Sequence, residues 1–190
     1  MRSVDDVVAH ASTVPGYMHA HELRWLCDQA RRLTVPAAWC EIGCWQGRSA
    51  TAVAGGLPPG PGTRLVLVDN FSGPTTREMP DPAACRRTIE AAMASMRVFA
   101  PGVDIALAIG DSAALATTYP DGTFDVVFID GDHQYAKVVA DITGWAPKLK
   151  PGGLLCGHDF TNPCGVEQAV RDLVPGFALV PTSSLWHARV

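Results

Sequence analysis

Residues 124–159, FDVVFIDGDHQYAKVVADITGWAPKLKPGGLLCGHD, decide how this chain folds. The stretch opens on a short apolar run, FDVVFID (124–130), and closes on another, GLLCGHD (153–159), with a helix candidate at 133–147 between them. Strand, crossover helix and strand in that order make a parallel β–α–β unit. Outward from this unit the pattern repeats. Apolar runs AAWCEI (37–42), RLVLVD (64–69) and VDIALAI (103–109) alternate with helix candidates at 47–55, 82–98 and 164–173. Several runs are apolar on both pleat faces, as strands sandwiched between two helix layers must be. The tail differs, because FALVP (177–181) and SLWHARV (184–190) are separated by two residues and suit an antiparallel hairpin at the sheet edge. HAHELRWLCDQARRL (19–33) spaces its apolar residues as a helix that packs over the sheet. The expectation is an α/β, doubly wound, mostly parallel seven-stranded sheet with helices on both faces and an antiparallel C-terminal hairpin.

A chain of 190 residues fits one domain, since a single core of that size buries roughly 70% of the unfolded surface. We expect one domain over 1–190, with a helical cap at 1–35 and the core at 36–190. Fifteen basic and nineteen acidic residues give a net charge of −4, too mild and scattered for nucleic acid or an anionic membrane. A small or neutral partner is expected. The start, MRSVDDVVAHAST, lacks the basic end and apolar stretch of a signal peptide, and no apolar run approaches the roughly 20 residues that span a bilayer. A cytoplasmic location is expected. Cys27, Cys40, Cys44, Cys85, Cys156 and Cys164 show no zinc spacing and read as reduced thiols, a Cys40–Cys44 redox pair being the sharper alternative.

In an open parallel sheet, ligands bind beyond the carboxyl ends of the strands, so the residues that end each strand carry the functional reading. The first strand runs into EIGCWQGRS (41–49), where Gly43 and Gly47 let the backbone approach a ligand and the next helix points its N-terminus at the site. Its spacing is GxxxG, and the third glycine of the dinucleotide fingerprint is missing, which counts against NAD and FAD. Asp69 ends the second strand, placed to accept hydrogen bonds from ribose hydroxyls. Asp111 and Ser112 follow the third, with Asp111 placed to reach an adenine amino group. Each acid alone also reads as a helix cap. The loop NFSGPTTREMPDPA (70–83) is a lid over this face or a plain connector.

The motif EIGCWQGRSA, the acid in LVLVDN, the GDS turn and the run 124–159 together resemble the class I S-adenosylmethionine-dependent methyltransferases, over residues 14 to about 173. Within that Rossmann-like class the likeness is to the small group that includes sugar and antibiotic-tailoring O-methyltransferases. The resemblance implies that Glu41, Gly43 and Ser49 contact the methionine end of the cofactor, Asp69 its ribose, and Asp111 with Ser112 its adenine.

Asp130 ends the fourth strand and His133 follows three residues later, on the first turn of the next helix, while His158 and Asp159 end the fifth. Adjacent parallel strands lie about 4.8 Å apart, so the two tips can share one cation held by Asp130, His158 and Asp159. Carboxylates suit magnesium or manganese, and an imidazole tilts the preference toward manganese. Metal-assisted O-methyltransferases of the catechol and macrolide-sugar types, which the sequence resembles here, carry an aspartate, a basic residue three positions later and a residue pair at the fifth strand. This chain departs from them in having histidine at one member of the pair, so His158 is a metal ligand, a substrate contact or a cap. His133 is the candidate base for a hydroxyl attacking a sulfonium methyl. In the plainer alternative Asp130 only closes the cofactor pocket and Asp132 caps the helix.

The reading that results is a methyltransferase acting on a hydroxyl of a saccharide or glycosylated natural product, the acceptor being implied by the resemblance alone. A catechol-type acceptor, a nicotinamide-dependent oxidoreductase and a non-catalytic cofactor-binding protein are the rivals. The short chain leaves little sequence for a substrate cap, so a homodimer formed through the N-terminal helix is expected.

Overall fold

The computed structural model describes residues 2–72, 81–161 and 165–190. Its strands are β1 (Ala38–Ile42), β2 (Arg64–Asp69), β3 (Asp104–Ile109), β4 (Phe124–Ile129), β5 (Leu149–Gly157), β6 (Ala178–Leu179) and β7 (Trp186–Arg189). They form one sheet in the order β3-β2-β1-β4-β5-β7-β6. The first five of these run parallel, β7 pairs antiparallel with β5, and β6 pairs antiparallel with β7. This is the doubly wound, mostly parallel seven-stranded sheet with its C-terminal hairpin. The helices are α1 (Val4–Ser12), α2 (Ala20–Arg31), α3 (Arg48–Gly56), α4 (Pro82–Phe99), α5 (Ser112–Ala116), α6 (Tyr135–Trp145) and α7 (Val166–Leu173).

Side chains alternate between the two faces with the period of two that a pleated strand imposes. Trp39, Leu65, Leu67, Val126 and Phe128 point to one face, where they pack with Leu23 and Leu26 of α2, Ala50 and Val53 of α3, and Ile89 and Met96 of α4. Cys40, Ile42, Val66, Val68, Val127 and Ile129 point to the other, against Val138, Ile142 and Trp145 of α6 and Val166 and Val170 of α7. The helix ends follow simple chemistry. Asp81 caps α4 by accepting the Ala83 N–H, and Pro82, whose lack of an N–H costs nothing there, is its first residue.

Three features depart from the sequence expectations. The helical cap expected at 1–35 holds α1 beside α2, with Ser3 as its cap and Val4, Val7, Val8 and Ala11 at helical spacing, and α5 forms where only a turn was read at Ser112. Strand β5 begins at Leu149 rather than 153, because the chain shifts register between the pairs Phe124–Leu149 and Val126–Leu154. Helix α6 begins at Tyr135, since the Asp132 carboxylate accepts the Gln134 N–H in a tight turn that keeps His133 in the loop before the helix.

Leu23, Leu26, Cys27 and Ala30 of α2, the segment expected to join two copies, are buried within the chain itself. Cys27, Cys40, Cys44, Cys85 and Cys156 are buried free thiols, with no Cys40–Cys44 bond. Cys164, and residues 73–80 of the expected lid loop, lie outside the described residues. Among the described residues no helix is long and apolar enough to cross a membrane.

Candidate functional site

Strand order reverses at β1, with β2 on one side and β4 on the other, and a crevice opens beyond the strand tips at such a point. A cleft of about 810 Å³ occupies this place. The tips of β1 to β5 form its floor, and the segment from Gly16 to Glu22 borders its far side. Three residues around it hold left-handed backbone that side chains rarely adopt, Trp45 (φ 40°), Phe71 (φ 56°) and Asp159 (φ 61°).

At the β1–β3 end, the Asp69 carboxylate accepts two backbone hydrogen bonds at 2.7 Å, from Trp45 N–H on Oδ2 and Phe71 N–H on Oδ1. Each oxygen keeps a lone pair for a ligand hydroxyl. Burial pushes the Asp69 carboxyl up, and these backbone donors oppose the rise. Asp111 borders the cleft and also caps α5, accepting the Ala114 N–H at 3.0 Å. Ser112 donates its hydroxyl to Asp141, a buried acid on α6 that the sequence reading passed over. Burial raises Asp141 to about 6.

Gly43 borders the cleft, and no side chain fits there. A Cβ would sit 2.2 Å from the Asp130 carbonyl oxygen, and its φ of 84° suits glycine. Two other residues expected at the cofactor, Gly47 and Glu41, do not border the cleft. At Gly47 φ is 89°, and a Cβ would meet Ile89 Cδ1 at 2.6 Å, so glycine here serves the packing of α4. Glu41 lies beneath the cleft without bordering it, because it shares the pleat face of Trp39 and points under α3. It accepts the hydroxyl of Ser49, which does border the cleft, and burial raises its carboxyl to about 8.

The β4–β5 end gathers Asp130, His133, His158 and Asp159. His133 Nε2 lies 2.9 Å from Asp159 Oδ2. His158 Nδ1 lies 3.3 Å from the same oxygen and 3.7 Å from Asp130 Oδ1, while its Nε2 lies 3.1 Å from Oε1 of Glu22, a residue the sequence reading did not single out. Burial opposes charge on His158, yet its bonds to Asp159 and Glu22 and the nearby Asp130 lift it to about 11. Asp130 is raised to about 7, first by burial and further by the Asp159 charge, although the two imidazoles pull it down. Burial would raise Asp159 as well, but its bonds to the two imidazoles hold it well below the usual carboxylate range. One ligand atom each from Asp130, His133 and Asp159 falls within 4.8 Å of the others. Two crowded carboxylates beside imidazole nitrogen are a donor set that fits a divalent cation such as manganese or magnesium.

An acid on an apolar helix stripe was the signal for both residues that were missed. Glu22 precedes Leu23 and Leu26 on α2, and Asp141 sits among Val138, Ile142 and Trp145 on α6.

Solved structures share this architecture at low sequence identity. CalS11, a TDP-rhamnose 3'-O-methyltransferase of calicheamicin biosynthesis, superposes with a TM-score of 0.61 at 19% identity, over 98% of this chain and 92% of that one. TomG, an O-methyltransferase from Streptomyces achromogenes involved in tomaymycin synthesis and solved with SAM, gives 0.62 at 20% identity over 100% and 90%. MycE, a methyltransferase of the mycinamycin pathway in complex with Mg and SAH, gives 0.60 at 15% identity over 98% of this chain and 54% of that longer one. Residues 40–160, well over half the chain, match the family model described as a methyltransferase domain. The chain belongs to that methyltransferase family and has the fold of the class I S-adenosylmethionine-dependent O-methyltransferases.

Proposed function

We propose that this protein transfers the methyl group of S-adenosylmethionine to a hydroxyl of a saccharide or glycosylated natural product, with a divalent cation at the acceptor end of the cleft. The observation that carries the reading is the division of one cleft into two chemistries. Its volume of about 810 Å³ lies within the roughly 300–1,000 Å³ of small-molecule sites. Asp69, Asp111 and Ser112 stand at one end to hold ribose and adenine. Asp130, His133, His158 and Asp159 stand at the other.

Asp130, Asp159 and the Nδ1 of His158 are the groups that would hold the cation, which on binding would displace the Nδ1 proton that His158 otherwise carries. Bound there, it would lower the pKa of an acceptor hydroxyl and fix its direction. His133 donates its Nε2–H to Asp159, which leaves Nδ1 as the basic nitrogen, and the same bond raises the His133 pKa so that the imidazole is a stronger base than a free one. In the transfer, the acceptor oxygen forms the new O–C bond as the S–C bond breaks. The electron pair stays on sulfur and the hydroxyl proton passes to His133 Nδ1. Tyr17, stacked on Trp45 with ring centres 5.3 Å apart, adds an aromatic wall to the cleft.

The short spacing of Asp130, His133 and Asp159 favours a second reading in which His133, rather than His158, is the imidazole ligand. Manganese titration of His133→Ala without cofactor separates the two. Retained affinity with lost turnover supports the base, and lost affinity supports the ligand. For the function itself, the test is methyl transfer from labelled S-adenosylmethionine to nucleotide-linked sugars, glycosylated natural products and catechols, after chelation and after add-back of magnesium or manganese. Product with sugars that depends on the metal supports the reading. Product with catechols alone moves the acceptor class, and turnover unaffected by chelation removes the cation.

A further inference from the structure

Glu22 lies in α2, outside the matched residues 40–160, and the residue is 2% exposed. A buried carboxylate costs several kcal/mol unless it is hydrogen-bonded and paired. Capping explains only one of its oxygens, since Oε2 accepts the His19 N–H at 2.9 Å. Oε1 turns away from its own helix. It accepts the Ser184 N–H at 3.2 Å and meets His158 Nε2 at 3.1 Å, across 136 positions of sequence.

We infer that Glu22 is a positioning residue: by accepting the Nε2–H of His158 it fixes that ring and turns Nδ1 toward Asp130 and Asp159, so that the N-terminal segment completes the cation centre. This rests on the cation reading above. The ring has only two nitrogens, and a carboxylate that claims one N–H determines both the tautomer and the direction of the other. The distances fit, because Nδ1 lies 3.3 Å from Asp159 and 3.7 Å from Asp130. The acid also anchors the acceptor side of the cleft. Gly16, Tyr17, Met18 and His19 lead into α2 and border the cleft, and Arg48 at the start of α3 donates to the Gly16 carbonyl at 2.7 Å. The wall an acceptor meets and the imidazole beside the cation are therefore joined through one buried carboxylate.

The test is a double-mutant cycle read as manganese affinity of the cofactor-free protein. Glu22→Ala should weaken manganese binding about 10- to 100-fold, the range for removing a carboxylate that orients a metal-bound histidine. In a His158→Ala background the same change should add less than about twofold, and S-adenosylhomocysteine affinity should stay within about twofold throughout. An equal manganese loss in both backgrounds, or a parallel loss of S-adenosylhomocysteine binding, overturns the inference by showing general damage. Glu22→Gln, which keeps the size and a neutral acceptor, should fall between wild type and Glu22→Ala. A second readout needs no metal. In protein labelled with ¹⁵N-histidine, the His158 ring should show a slowly exchanging Nε2–H that vanishes in Glu22→Ala, and an unchanged His158 signature overturns the inference. Should the wild type bind no manganese, the cation reading fails by itself, and the ring signature still decides whether Glu22 sets His158.

Discussion

The two ends of the cleft are built differently. At the β1–β3 end the two strand-end acids are held by backbone: Asp69 by the N–H groups of Trp45 and Phe71, and Asp111 by that of Ala114, all within five residues of the acid or in the adjoining strand-end turn. At the β4–β5 end side chains hold one another, His133 to Asp159, His158 to Asp159 and His158 to Glu22, and the chain of contacts reaches an element far away in sequence. Backbone donors fix an acid independently of its neighbours. Side-chain networks fix their members jointly, so substitutions there are coupled and non-additive.

Four experiments strain this contrast. His133→Ala should lower turnover by about 10²- to 10⁴-fold, the usual worth of a general base, with S-adenosylhomocysteine affinity unchanged. Equal loss in both measurements would mean that the two ends are not separable. Asp69→Asn should do the opposite, weakening S-adenosylhomocysteine by about 10- to 100-fold in calorimetry while manganese affinity holds, since hydrogen bonds to a charged group are worth roughly 1.5–3 kcal/mol. Gly43→Ala attacks the joint between the ends, because its Cβ would push on the Asp130 carbonyl. We expect about 1–3 kcal/mol lower stability in urea unfolding, and weaker binding of cofactor and cation together.

The last experiment concerns Glu41. Its folded carboxyl sits at about 8 against an ordinary 4.5, so between these values the folded protein holds a proton that the unfolded chain has released. Its contribution to stability therefore falls as pH rises through that window. Glu41→Gln should flatten the slope, measured as the change in Tm between about pH 5 and about pH 8. A slope identical to wild type would show that the Glu41 carboxyl is not the group responsible.

Much of this was legible from the chain. Alternating apolar runs and helical stripes fixed the sheet and most helices, and the strand-end rule brought Asp69, Asp111, Asp130, His133, His158 and Asp159 to one cleft. Glu41 lies beneath the cleft rather than along it, which pleat parity with Trp39 was available to show; strand-end position alone does not say which way a side chain turns. Gly47 was read as a ligand approach because GxxxG spacing cannot distinguish crowding by a ligand from crowding by α4. Glu22 escaped because its partner lies 136 residues away and only tertiary packing joins them.

The left-handed bends at Trp45, Phe71 and Asp159 carry a further consequence. Each stores on the order of 1–3 kcal/mol that glycine would release. A laboratory lineage selected for heat resistance alone should try glycine first at Asp159, giving up a carboxylate of the acceptor end, and should keep Phe71, whose buried ring is worth about 3–5 kcal/mol. Selecting for hardiness and turnover together should leave all three untouched.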